Sequence, residues 1–355
     1  MAQATHVYPE AIKETANTIE GVLRVVLQSR LQVLQSALTE TITRTVTKEL
    51  LSYEKKCSIS PHSSGVIPLP IFQLAKTVIT TANSLVFFGP ELTLNGEFLA
   101  AAQRYPEDLL ITAEILRLTP SFAAPFIAPI AMCNHHASKV LVRYLIPLVE
   151  KRMLLKQRRL DEKDFPRDEF GEGNDGPCDI IQFFVDANLR QRRLQDFSAP
   201  PPCHARKIVQ VIIGIWFAAV HQPAITIMYA LDDLLDHPEH LGALRDELNS
   251  KSMDTIDQLC LLDSFLKESS RLHPSDAIAV RRKVLQPYTF SDGTHLRVGD
   301  VACVPSMAIM QDPAYYGADC LMFDAFRFLN AKGECETKFT DTSPTYPLWG
   351  LGKHS

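Results

Sequence analysis

From Gly21 to Leu50, the residues Leu23, Val26, Leu27, Leu31, Leu34, Leu38 and Ile42 recur at spacings of three and four, the period of one face of an α-helix. The pattern predicts an amphipathic helix with at most one break. Leu69–Val86 and Pro106–Leu118 are predicted as further helices, divided by Gly89-Pro90 and Asn95-Gly96, pairs that punctuate helices. Ala137–Gln157 follows and ends in Lys and Arg, as the negative end of a helix dipole prefers. Charges then dominate from Arg158 to Cys178, where Gly171, Gly173 and Gly176 lie close together, and an exposed loop is expected. Asp179–Arg193 resumes the helical pattern, Ser198-Ala-Pro-Pro-Pro202 breaks it, and Ile208–Leu235 forms the longest apolar helix candidate, closed by His237-Pro238. After Pro274 the character changes. Val284–Val304 alternates around the turn Ser291-Asp292-Gly293, the mark of a small sheet. With no internal repeat, the order of elements predicts a single domain of α+β class, mainly α with a small β portion in its last third.

Composition narrows the class. The 355 residues are 46% hydrophobic and 22% charged, enough for a sizeable globular core. A formal net charge of -5 and a sequence pI of about 6.1 lack the electrostatic footprint of a nucleic-acid binder. The short basic cluster Arg190, Arg192, Arg193 reads as a solvated face. The eight cysteines are dispersed without a CxxC pair, which argues against a zinc ribbon or a disulfide framework and for reduced thiols inside a cell. Met1–Ile12 lacks the basic and apolar regions of a signal peptide. The most apolar run, Val209–Val220, falls short of the roughly 20 residues a bilayer needs, so no transmembrane segment is expected.

Three motifs carry chemistry. Glu268 and Arg271 stand at i and i+3 near the end of a helix that starts about Leu261, within ion-pair reach on one face. Taken alone, such a pair is a surface salt bridge. Phe323-Asp324-Ala325-Phe326-Arg327-Phe328 places Arg327 among aromatics; its plainest reading buries the three rings and leaves the arginine in water. Trp349-Gly350-Leu351-Gly352-Lys353-His354 is a glycine-spaced loop after an aromatic, nearly uninformative by itself.

In this order and spacing the three together resemble the C-terminal signature of the cytochromes P-450, with fungal members in view. The resemblance is strongest from Ile208 to Ser355 and weak before Leu69. It implies that Glu268, Arg271 and Arg327 form a buried charge network, whose members must coexist because an isolated buried charge costs several kcal/mol. It implies haem as cofactor. Within the long helix, Phe217-Ala218-Ala219-Val220-His221-Gln222-Pro223 falls where the family places a small-residue pair, an acid and a threonine. Ala218 and Ala219 would let the backbone approach the haem, and His221 with Gln222 replaces the acid–threonine pair. An imidazole of ordinary pKa about 6.5 suits a proton relay, with Gln222 holding a water. Trp349, Gly350, Gly352 and His354 are expected around the cofactor. Arg281 or Arg282, thirteen and fourteen residues after Glu268, would meet a propionate, and strand alternation favours Arg281.

The family's iron-binding cysteine belongs two residues after His354, beyond Ser355, and none of the eight cysteines lies in that loop. The expectation is a partial domain over 1–355 without the family's N-terminal anchor and first elements, or the ligand loop and the helix after it, and inactive as it stands. The implied activity is oxidation of a lipophilic terpenoid, meroterpenoid or other polycyclic substrate in secondary metabolism. NADPH–cytochrome P-450 reductase is the implied partner. The chain as given is expected in the cytoplasm, and a full-length relative at the endoplasmic reticulum membrane. The contrasting readings are a non-catalytic remnant without haem and a helical interaction scaffold.

Overall fold

The structure is a computed structural model that describes residues 33–56, 68–120, 122–161, 177–194, 202–251 and 258–350. It divides into two compact units, Met1–Pro223 and Ala224–Ser355. In the first lie α1 (33–56), α2 (Ile71–Phe88), α3 (Pro90–Thr93), α4 (Gly96–Leu118), α5 (Ala124–Ala131), α6 (His136–Asp161), α7 (Ile180–Leu194) and the part of α8 (Pro202–Asp236) up to Pro223. The second holds the rest of α8, α9 (His240–Ser250), α10 (Cys260–Leu272), the strands β1 (Ala279–Lys283), β2 (Tyr288–Thr289), β3 (His295–Leu296) and β4 (Val301–Val304), then α11 (Ser306–Met310) and α12 (Pro313–Tyr316).

The expected helices are present. Residues 21–32, most of the charged loop and residues 198–201 of the proline-rich break fall outside the described residues, and Pro202 opens α8. One boundary differs: α4 begins at Gly96 rather than Pro106, because Asn95 caps it by accepting from the Phe98 N–H at 3.0 Å, and Pro106 sits inside the helix. The apolar stretches are longer than the run Val209–Val220 suggested. By length and composition Ile71–Phe88 and Ala205–Asp236 are both long and apolar enough to cross a membrane, since α8 runs well beyond Val209–Val220; part of each is nevertheless buried in the fold.

A proline inside a helix removes an N–H and strands the carbonyl four residues earlier. In α4, Pro106 strands Ala102, whose carbonyl accepts the indole N–H of Trp216 at 2.8 Å. In α8, Pro223 strands Ala219, whose carbonyl accepts from Asn83 Nδ2 of α2 at 2.5 Å. Both defects thus become cross-links between helices. Trp216 is fully buried, and its ring meets Phe87 and Phe88, the latter edge-on to Phe98 at 5.0 Å between ring centroids. The first unit's apolar core is built around these rings.

In the second unit, β1 pairs antiparallel with β4, and β2 with β3 around the predicted Ser291–Gly293 turn. Val280 has φ +49° and the β1–β4 register shifts between Ala279 and Arg282. The bulge cancels the expected alternation: Arg281, Arg282 and Lys283 are all exposed.

If Asn83 exists to satisfy the carbonyl that Pro223 strands, Asn83→Ala costs about 1–3 kcal/mol. The same substitution in a Pro223→Ala background, where residue 223 regains its N–H, costs much less. Urea unfolding of the four chains measures the coupling, and additive losses would refute it.

Candidate functional site

The second unit is organised by one carboxylate. Glu268 and Arg271, both fully buried on α10, form a two-pronged pair in which Arg271 Nε donates to Oε2 at 2.7 Å and Nη2 to Oε1 at 2.8 Å. Oε1 also accepts Arg327 Nε at 3.0 Å and the Asp324 N–H at 3.2 Å. The three motif residues therefore meet, and Arg327 is not left in water: its side chain is 12% exposed, while Phe326 is the exposed ring.

Two guanidiniums facing one carboxylate leave an excess positive charge, and a buried charge must be offset by oxygen atoms. Arg271 Nη1 donates to the carbonyls of Met310 and Cys320 at 2.7 and 2.6 Å, and its guanidinium lies 4.7 Å from the Tyr316 ring centroid. Arg327 reaches the carbonyls of Tyr316, Asp319 and Met322 and, at 3.4 Å, the exposed carboxylate of Asp319. The irregular chain from Met310 to Met322 is thereby gathered onto α10. Burial and the Glu268 contact act in opposite directions on Arg327, and the net effect raises its pKa.

Beside this network lies Lys267, which the motif analysis passed over. Its side chain is buried, donates to the Lys338 carbonyl at 2.7 Å, and has the rings of Phe328 and Tyr346 at 4.9 and 4.8 Å. Burial pushes its pKa down and that of the Tyr346 phenol up. Its place beside Glu268 on a helix was the available signal, but its aromatic partner Tyr346 lies far along the chain.

The loop after Tyr346 is held near its start. Trp349 donates its indole N–H to the Phe339 carbonyl at 2.9 Å, and Thr342 donates its hydroxyl to the Gly350 carbonyl. Gly350 has φ +94°, and a Cβ there would lie 3.7 Å from Val280 of β1. Gly352 and His354 lie outside the described residues. Arg281 is exposed, with a 3.4 Å contact to Asp276, and Arg282 is exposed as well.

In the first unit, α8 buries Ile212, Trp216 and Val220 and leaves Gly214, Ala218 and Gln222 exposed at i, i+4 and i+8. Ala219 is half-buried. Two small residues and an amide thus line one open strip of α8. His221 is half-buried and stacks on Phe72 at 6.3 Å between ring centroids; its Nδ1 is buried without a hydrogen-bond partner among the described residues. Burial lowers its pKa, Glu107 opposes that and Lys76 adds to it. Lys76 and Glu107 are themselves an ion pair, with the Lys76 Nζ 5.6 Å from the Phe72 ring centroid.

Removing the carboxylate charge by Glu268→Gln strands two guanidiniums and should cost about 3–5 kcal/mol. Asp319→Asn, at an exposed partner of the same network, should cost under about 1 kcal/mol. Denaturant midpoints of the two variants test the contrast, and equal losses would contradict it.

Residues 22–354 match the family model for Cytochrome P450. The chain is 30% identical over 351 residues to ent-kaurene oxidase of Gibberella intermedia, covering 93% of this chain and 61% of that protein. It is 28% identical over 289 residues to cytochrome P450 monooxygenase 151 of Postia placenta, covering 78% and 54%. With cytochrome P450 monooxygenase olcJ of Penicillium canescens the identity is 27% over 359 residues, covering 97% and 62%. The chain thus spans 54% to 62% of the length of these three relatives. The matched family, the mainly helical fold with its minor sheets, and the buried Glu268–Arg271–Arg327 network agree: this chain belongs to the cytochrome P450 family.

Proposed function

We propose that the chain is part of a haem-thiolate monooxygenase that oxidises a lipophilic small molecule of fungal secondary metabolism, with electrons delivered from NADPH by a cytochrome P-450 reductase at the endoplasmic reticulum membrane. The observation that carries the reading is the buried network centred on Glu268, which fastens the segment from Met310 to Arg327 and leaves no buried charge unpaired within it. The name ent-kaurene oxidase, borne by several relatives, supports an apolar substrate of terpenoid class.

Haem, when bound, supplies the activation of dioxygen. The roles of this chain's residues follow from their chemistry. Ala218 and Ala219 give the cofactor room at α8. Arg281, exposed and weakly paired, offers a cation to a propionate, and Trp349, Gly350, Gly352 and His354 belong to the loop on the cofactor's ligand side. The family resemblance places the cysteine that would supply the iron's thiolate two residues after His354. His221 holds or passes a proton at its unpartnered Nδ1, and the exposed Gln222 amide positions a water for that exchange. Burial lowers the His221 pKa and so favours the neutral imidazole.

Expression of the gene that encodes this chain, together with the reductase, tests the reading. A thiolate-type Soret band in the carbon monoxide complex of the reduced protein, with NADPH-dependent oxidation of a terpenoid, is expected. Absence of both would favour a non-catalytic remnant.

The histidines give a second test through pH. His221 titrates below the ordinary value of 6.5, so its contribution to stability is present above that value and is lost as pH falls toward the folded pKa. His273, hydrogen-bonded to Asp233 at 3.2 Å, has a raised pKa, so its contribution is present below 6.5 and is lost as pH rises through the folded value. Imidazole resonances followed through a pH titration should move in that order, and a His221 midpoint above that of His273 would contradict it.

A further inference from the structure

Cys260 is the first residue of α10, and Cys335 closes a tight turn whose Leu329 pairs with it in an isolated antiparallel bridge. They are 75 residues apart in sequence, yet the Cys335 N–H donates to the Cys260 sulfur at 3.2 Å. The Cys260 side chain is close enough to raise the pKa of the Cys335 thiol. Around them the polar groups are already occupied. The Leu261 and Leu262 N–H groups of α10 both donate to Glu247 of α9 at 2.9 Å, and Asp263 accepts the Phe339 N–H at 2.6 Å. Both thiols are half-buried, which leaves them within reach of a small oxidant.

We propose that Cys260 and Cys335 are an oxidation site at which hydrogen peroxide converts two neighbouring thiols, already joined through the Cys335 N–H and the Cys260 sulfur, into a disulfide. The Cys260 sulfur, which accepts the Cys335 N–H, attacks the peroxide O–O bond as the thiolate; a Cys260 sulfenic acid forms and, with one proton, water leaves. The Cys335 sulfur then attacks the Cys260 sulfur, the S–O bond breaks, and the Cys335 proton departs with the oxygen as a second water. The two thiols are oxidised and the peroxide is reduced, with no other reactant. Burial, and then the contact with Cys260, pushes the Cys335 thiol up to about 12. The sequence between the two cysteines contains Glu268, Arg271 and Arg327, so the bridge would close a covalent loop around the network that orders this unit. The site does not depend on bound haem.

Hydrogen peroxide treatment of the full chain, followed by alkylation and peptide mapping, tests the proposal. A Cys260–Cys335 cross-link is expected, with matched loss of both thiols and reversal by dithiothreitol. The Tm should rise by about 5 °C or more on oxidation. The variant Cys335→Ser should instead yield a Cys260 sulfenic acid that dimedone traps. Oxidation that modifies the exposed Cys133 and Cys303 while leaving Cys260 and Cys335 reduced would overturn the proposal. So would a cross-link that forms as fast in guanidinium-unfolded chain as in the folded one.

Discussion

A carboxylate with no solvent contact must have its charge met by protein, and Glu268 meets that condition with two arginines and a backbone N–H. Each arginine then requires oxygens of its own. Those oxygens come from main-chain carbonyls between Met310 and Met322, a stretch whose only regular elements are the ends and pieces of two short helices. The order of that stretch is thus dictated by charge compensation rather than by a ladder of backbone bonds. Removal of the carboxylate leaves both guanidiniums without their shared partner, so Glu268 is the member on which the others depend.

The first unit handles a different constraint with the same logic. Pro106 and Pro223 each strand a carbonyl in an apolar interior, where an unmet acceptor is costly. Trp216 and Asn83 supply the missing donors from other helices, so the interruption fixes how the helices meet. In α8 this places a tied carbonyl at Ala219 just before His221, beside the open strip of Gly214, Ala218 and Gln222. This segment of α8 is therefore anchored on one side and open on the other.

Much of this was legible in the chain. Helical periodicity located α2, α6, α7, α8 and α10 because each buries a stripe against a core, and three- and four-residue spacing records that burial directly. Glu268, Arg271 and Arg327 were legible as a set only through their order. Two of them share a helix turn, but Arg327 is joined through space, and local pattern alone leaves it in solvent. Pro106 misled the placement of the α4 start because a proline reads as a helix boundary, whereas the compensating Trp216 N–H comes from 110 residues later in the numbering. At Arg281 and Arg282 the β1–β4 register shift leaves both side chains exposed, and a bulge leaves no trace in the pattern of residue types. Lys267 and Tyr346, and the contact of Cys260 with Cys335, depend on long-range proximity that no local spacing encodes.

Hydrogen–deuterium exchange over residues 310–328 tests the central claim most directly. If the Glu268 network orders this segment, its protected amides, including that of Asp324, exchange only at the rate of global unfolding of the unit despite the scarcity of regular structure. Exchange as fast as that of an exposed loop, with α10 itself still protected, would contradict the account.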